Sequence, residues 1–289
     1  MRIVSLLPSA TEIVADLGLI DDLVGVSAEC RWPAEVVGKP VVSAARVELT
    51  DLNSAQIDDI VRASISDGAS LYSVDAALID ELRPDVILTQ DLCEVCAVSS
   101  DVLDTACPVG ARIVSLDPGT FADVAASVQR LAAELGVPDR GRALAEQMWH
   151  KARAVETAVA GLPRRRVFVA EWLDPPYCAG HWVPEMVQLA GGVDVLGVTG
   201  APSHAVSWDD VRTRQPELIV AAPCGYDADE AARRAAGVAL PGRVVAVDGD
   251  GYFSRPGPRL ADGIRQLGHL MHPDAVPDPG LPAIELVNR

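Results

Sequence analysis

A two-lobed α/β protein, with Rossmann-like lobes, mainly parallel sheets and a long connecting helix, is the fold class this sequence predicts, and three observations predict it. Its 289 residues exceed one small domain and suit two lobes of ordinary size. Short runs rich in Val, Ile and Leu alternate with helix-periodic segments, as in parallel sheets covered by helices. The same order of segments then occurs twice along the chain.

The first half opens with an apolar strand, Ile3 to Leu7, followed by Pro8 and a helix over Thr11 to Leu17 that Gly18 stops. Ser9 and Glu12 have the spacing of a capping box. Leu23 to Val26 reads as a second strand, Leu78 to Leu82 as the end of a helix, Asp85 to Thr89 as a buried parallel strand after Pro84, and Ile113 to Leu116 as another. The second half echoes these in order. Arg166-Val167-Phe168, a helix from Pro184 and Asp194-Val195-Leu196-Gly197-Val198 answer the opening strand, helix and Asp22-Leu23-Val24-Gly25-Val26. Gln215-Pro216-Glu217-Leu218-Ile219-Val220 answers Arg83-Pro84-Asp85-Val86-Ile87-Leu88, and Arg243 to Asp248 answers Arg112 to Asp117. Phe121 to Ala160 lacks strand signals and breaks only at Gly136-Val137-Pro138, so it predicts two helices, the second over about Arg140 to Ala160 and ~30 Å long. The expected organisation is an N-terminal lobe over 1–120, connecting helices over 121–162, a C-terminal lobe over 163–272 and an irregular Pro-rich tail over 273–289.

Composition excludes several function classes. A formal net charge of -17 opposes attachment to nucleic acid or an acidic membrane surface. No run approaches the ~18 consecutive apolar residues that a membrane-crossing helix needs, so no membrane insertion is expected. Met1 leads straight into the first strand without a recognisable export signal, and six cysteines in a chain of this size suggest reduced thiols. A cytoplasmic location is the expectation, with a periplasmic or extracellular one if a leader has been removed.

Ligands of open α/β sheets bind outside the carboxyl ends of the strands. Trp32, Trp172, Tyr177, Trp182, Tyr226, Tyr252 and Phe253 all fall in loops after strands, and rigid aromatic faces there suit a wide, flat, partly apolar ligand. Arg255, in a loop stiffened by Pro256 and Pro258, is a candidate partner for a polar group at the ligand's edge; a salt bridge to an acidic neighbour is the competing reading. Cys93 and Cys96 form a C-x-x-C, and a metal site would draw on them with Cys224, His181 or Glu171. Against it, Cys224 sits in a tight Pro-Cys-Gly turn, and His181 has backbone to bond. Glu185, just after Pro184, complements a helix N-terminus. A cysteine nucleophile with Glu171 or His181 as base would make the protein an enzyme, yet no phosphate-binding glycine loop, nucleophile elbow or histidine-based catalytic pattern is present.

Ser5-Leu6-Leu7-Pro8-Ser9-Ala10-Thr11-Glu12, with Leu71-Tyr72 and Leu82-Arg83-Pro84-Asp85-Val86-Ile87-Leu88, resembles the helical-backbone (class III) periplasmic-type substrate-binding proteins of metal-chelate ABC importers, in particular the cobalamin-binding branch. The resemblance spans about residues 2 to 272. It implies a non-catalytic protein that holds a corrinoid such as cobalamin, or a related metal chelate, between two lobes, with an ABC importer as a possible partner. By position, Pro8, Trp32, Trp172, Trp182, Tyr226, Tyr252 and Arg255 are the expected ligand-binding residues, and Cys93, Cys96, Cys224 and His181 the expected metal ligands, should a metal ion bind.

Overall fold

The computed structural model describes residues 1–47, 52–66, 71–90, 110–238, 240 and 242–286. The chain divides into two compact units: Met1–Leu52, Asp59–Asp117 and Ala126–Ala145 make the first; Asn53–Asp58, Pro118–Ala125 and Glu146–Arg289 make the second.

In the first unit, strands β1 (Ile3–Ser5), β2 (Leu23–Ser27), β3 (Val41–Ala45), β4 (Tyr72–Val74), β5 (Val86–Thr89) and β6 (Arg112–Ser115) form a sheet of order β4-β3-β2-β1-β5-β6. All neighbours are parallel except the β3–β4 pair. Helices α1 (Pro8–Asp16), α2 (Ser54–Ser66) and α3 (Ala76–Leu82) connect them, and α2 crosses from the second unit's residues into the first's. Val4, Leu6, Val42, Ile79 and Ile87 form one core layer. Gly25 has no room for a side chain there, since a Cβ would lie 2.9 Å from the Leu82 methyl. Helices α4 (Phe121–Glu134) and α5 (Pro138–Ala158) follow, in the place where two helices are expected.

The second unit holds β7 (Arg165–Leu173), β8 (Pro176–Cys178), β9 (Gly192–Asp194), β10 (His204–Ala205), β11 (Leu218–Ala221), β12 (Val244–Val247) and β13 (Ala283–Leu286), in the order β10-β8-β7-β11-β12-β13. Helices α6 (Val183–Leu189), α7 (Trp208–Arg214), α8 (Ala228–Ala235) and α9 (Leu260–Met271) join them. Besides its parallel pairing with β11, nine-residue β7 pairs its first half in parallel with β9 and its second half antiparallel with β8. Strands β11 and β12 are buried throughout, as expected for central parallel strands. Phe168, Val211, Ile219 and Val244 lead their core layer, with Trp208 edge-on to Phe168 at 5.9 Å. Burying each such side chain stabilises the unit by about 2 kcal/mol.

The duplication read from the sequence is physical. The path β2-β1-β5-β6 recurs as β9-β7-β11-β12, parallel at every step. Arg83 ends α3 and Gln215 ends α7 in the left-handed conformation, at φ 45° and 48°, and a proline follows each. The next residue is an acid that bonds the start of the first strand both ways. Asp85 accepts from the Arg2 N–H at 2.7 Å and donates its own N–H to the Arg2 carbonyl at 2.8 Å. Glu217 does the same with Arg166, at 2.9 and 2.8 Å.

Three expectations are corrected. Helix α1 starts at Pro8, because proline's fixed φ suits a first helical position; Leu7 becomes the N-cap and Ser9 falls inside the helix, so there is no Ser9–Glu12 capping box. The strand expected over Asp194 to Val198 is Gly192–Asp194 instead. Asp194 ends it by accepting from the N–H groups of Leu196 (3.0 Å) and Gly197 (2.6 Å), which turns the chain. The tail is not wholly irregular: β13 pairs antiparallel with β12, and Arg243 grips Glu285 across the pair at 3.0 Å.

Candidate ligand-binding site

Strands β7, β11 and β12 run parallel side by side, aligned at Ala170, Ala221 and Ala246, so the loops at their carboxyl ends emerge together. Short bonds knit these loops. The Cys224 N–H donates to the Glu171 carbonyl (3.1 Å), Asp250 N–H to the Tyr226 carbonyl (3.1 Å), and the Trp182 indole N–H to the Phe253 carbonyl (2.7 Å). The Glu171 carboxylate accepts from Gly180 N–H at 3.1 Å. Gly249 lies so close to the loop after β11 that a Cβ would meet the Ala222 and Pro223 backbone at 2.6 Å.

Three of the expected ligand-binding residues form the accessible aromatic part of this surface. Trp172 faces Tyr226 with centroids 5.8 Å apart and planes inclined by 30°, and both are half-buried. Behind Tyr226, the Arg234 guanidinium lies 4.2 Å from the ring centroid and is held by Glu230 at 2.6 Å. Burial pushes the Tyr226 phenol up, against the opposing pull of Arg234. Trp172 is anchored through its indole N–H to the Ser54 carbonyl at 3.0 Å, and Tyr177 donates its hydroxyl to Asp58 at 3.0 Å. Tyr252 is half-buried, with the Arg259 guanidinium 5.3 Å from its ring. Beside it, burial raises the Asp248 carboxyl, although the Gly251 N–H donates to it at 2.7 Å.

Two more of the expected residues lie deeper. Trp182 is 6% exposed and its N–H is spent on Phe253, so it supports the loop from beneath. Arg255 is 8% exposed and forks onto Asp250 at 2.9 and 2.6 Å, the salt bridge that was the competing reading. In the first unit, Pro8 sits half-buried at the start of α1, and Trp32 is 50% exposed.

The metal candidates do not assemble among the described residues, where no group of three or more His, Cys, Asp or Glu side chains is arranged to hold an ion. Cys93 and Cys96 lie outside the described residues. Cys224 is an exposed free thiol. His181, half-buried, stacks on Trp182 at 5.6 Å, and burial holds its imidazole below the usual histidine range. Glu185 stands in the first turn of α6, as expected, and also accepts the Phe121 N–H at 2.7 Å.

Sequence reasoning missed several polar groups of this unit. Arg234 had a signal, the i,i+4 pair with Glu230 on a helix that begins just after Tyr226. Cys178 and His204 had none. They come together across the β8–β10 pairing, 3.2 Å from sulfur to Nδ1, and burial pushes the Cys178 thiol up. Asp194, on β9 beside them, is raised by burial to about 6.

Residues 3–239 match the model of the periplasmic binding protein family. A vitamin B12-binding protein of Yersinia pestis (strain Pestoides F) is 27% identical over 274 residues, covering 93% of this chain and 86% of that one. The periplasmic vitamin B12 binding protein of Vibrio cholerae superposes with a TM-score of 0.67 at 24% identity, covering 93% and 96% of the two chains. The periplasmic heme-binding protein of Roseiflexus sp. RS-1 superposes with a TM-score of 0.69 at 20% identity, covering 95% and 98%. These superpositions bear out the two-domain, mostly parallel α/β fold. The expected cytoplasmic location is overturned, because the matched family and these solved neighbours are periplasmic binding proteins, and neither cysteine count nor the start of the chain outweighs that. With its fold and most of its length matched, the chain belongs to the periplasmic binding protein family.

Proposed function

We propose that this protein binds a corrinoid of the cobalamin class without transforming it, and hands it to an ABC importer. The observation that carries the reading is the aromatic surface where β7, β11 and β12 end, with Trp172 and Tyr226 as its faces. A corrinoid is a wide, largely apolar ring with polar amides at its rim. Large rigid aromatic groups bind such a ring at low entropic cost, and the cation behind Tyr226 holds one of them in place. The likeness to the Yersinia vitamin B12-binding protein over 93% of the chain supports the same class of ligand.

Titration of the purified protein with cyanocobalamin, followed by tryptophan fluorescence, tests it. We expect saturable one-to-one quenching, with affinity at least about tenfold weaker in Trp172→Ala, in line with loss of one buried aromatic contact. Absence of saturable binding at micromolar cobalamin would refute the reading.

A further inference from the structure

Three non-glycine residues have a left-handed backbone among the described residues: Arg83, Gln215 and His181. The first two are the helix ends of the duplicated plan. His181, at φ 51°, ends no helix and lies two residues before α6. Its backbone is pinned from both sides: its N–H donates to the Ala201 carbonyl at 2.7 Å, and its carbonyl accepts from Gly200 N–H at 2.9 Å. The preceding Gly180 passes so close to Ser203 that a Cβ would sit 2.2 Å from its nitrogen. The following Trp182 is buried and bonded to Phe253. The chain therefore accepts an uncommon backbone conformation and fixes both flanks, and the result is a placed imidazole.

What that imidazole does within the protein is little. Its ring stacks on Trp182, it is partly exposed, and neither ring nitrogen has a partner among the described residues. His204, His269 and His272 differ, each using a ring nitrogen on Cys178, the Val276 carbonyl and the Gly191 carbonyl. An imidazole in its neutral form keeps a lone pair on one ring nitrogen. Neutral imidazole is a good ligand for a transition metal in a planar chelate.

We propose that His181 is an axial ligand to the metal of the bound corrinoid, so that the protein favours corrinoids with an exchangeable axial position. This rests on the corrinoid reading above. In the exchange a bond forms between cobalt and an imidazole nitrogen, the cobalt–oxygen bond to an axial water breaks, and the water leaves with its electron pair. No electron is transferred and the metal keeps its oxidation state.

Aquocobalamin, whose axial water exchanges, and cyanocobalamin, whose cyanide does not readily leave, separate the possibilities when each is titrated into the wild type and into His181→Asn. Asparagine tolerates the left-handed backbone, so the variant keeps the local fold. In the wild type both corrinoids are expected to quench tryptophan fluorescence, and only aquocobalamin to change its visible spectrum on binding. His181→Asn should abolish that spectral change and weaken aquocobalamin binding about tenfold or more, with cyanocobalamin affinity kept within about twofold. If both corrinoids bind and the bound aquocobalamin spectrum is the same in the two proteins, the axial role is overturned and the corrinoid reading stands. Equal loss of both corrinoids in the variant also overturns it, since the ring would then be a plain contact. If neither corrinoid binds the wild type, the corrinoid reading falls and takes this inference with it.

Discussion

Asp194 combines two roles that work against each other. One carboxylate oxygen shapes the turn after β9, accepting from Leu196 and Gly197, while the other is buried with no hydrogen bond of good geometry among the described residues. Burial raises its pKa from 3.8 to about 6, so the folded protein holds this proton more tightly than the unfolded chain does. The contribution of this group to stability is therefore largest below the unfolded value, falls as pH rises from about 4 through 6, and then levels, a total change on the order of 3 kcal/mol. Asp194→Asn keeps the turn's acceptor and removes the titration. Urea unfolding across pH 4 to 8 should show the variant gaining on the wild type as pH rises, with the difference constant above about pH 7; a constant difference across the range would refute this. Single residues were the least legible level of the sequence. Trp172, Tyr226 and Tyr252 come forward by asking which aromatic residues stand near strand ends, although Trp172 lies inside β7 and Tyr252 in a helical turn rather than in loops after strands. Trp182 meets the same criterion and Arg255 follows Tyr252 closely in the chain, yet both spend their polar atoms inside the protein, and only coordinates tell the two kinds apart.

The loops after β7, β11 and β12 act as one element because their backbones touch. Gly249 is where this shows, since any side chain there would drive the loop after β12 away from Ala222 and Pro223. Gly249→Ala should lower stability by about 1–3 kcal/mol, measured by urea unfolding, and should weaken cobalamin binding as well, because Tyr226 and Asp250 share a hydrogen bond across the same seam. A variant of normal stability and affinity would show that the loops move independently. Elements with strong periodic or apolar signals were readable: β5, β11, β12, α4 and α5 lie close to where the sequence puts them. The errors have local physical causes. Proline at N1 displaces the start of α1, an aspartate turn shortens β9, and the four residues of β13 become a strand only because β12 offers an open edge.

For the molecule as a whole, the duplication was the most legible property, because it repeats in composition, order and punctuation over long stretches of chain. Binding must be read at this scale too, since a ligand that binds only the folded protein stabilises all of it by mass action. At about 100 times the Kd, cobalamin should add about 2.7 kcal/mol to the unfolding free energy. Thermal unfolding should shift upward with cobalamin concentration in the wild type, and no shift at saturation would contradict specific binding.

A chain built twice on one plan risks pairing a strand of one half with a strand of the other during folding. The two acid-to-backbone junctions carry a distinction that bears on this hazard. The first uses the short Asp85 and joins residues 83 apart; the second uses Glu217, longer by one methylene, and joins residues 51 apart. Each carboxylate reaches its own arginine N–H at a single strand register. The paired acids thus close the same two-bond clasp with side chains of different length, so each half fastens its strands with a clasp of its own dimensions.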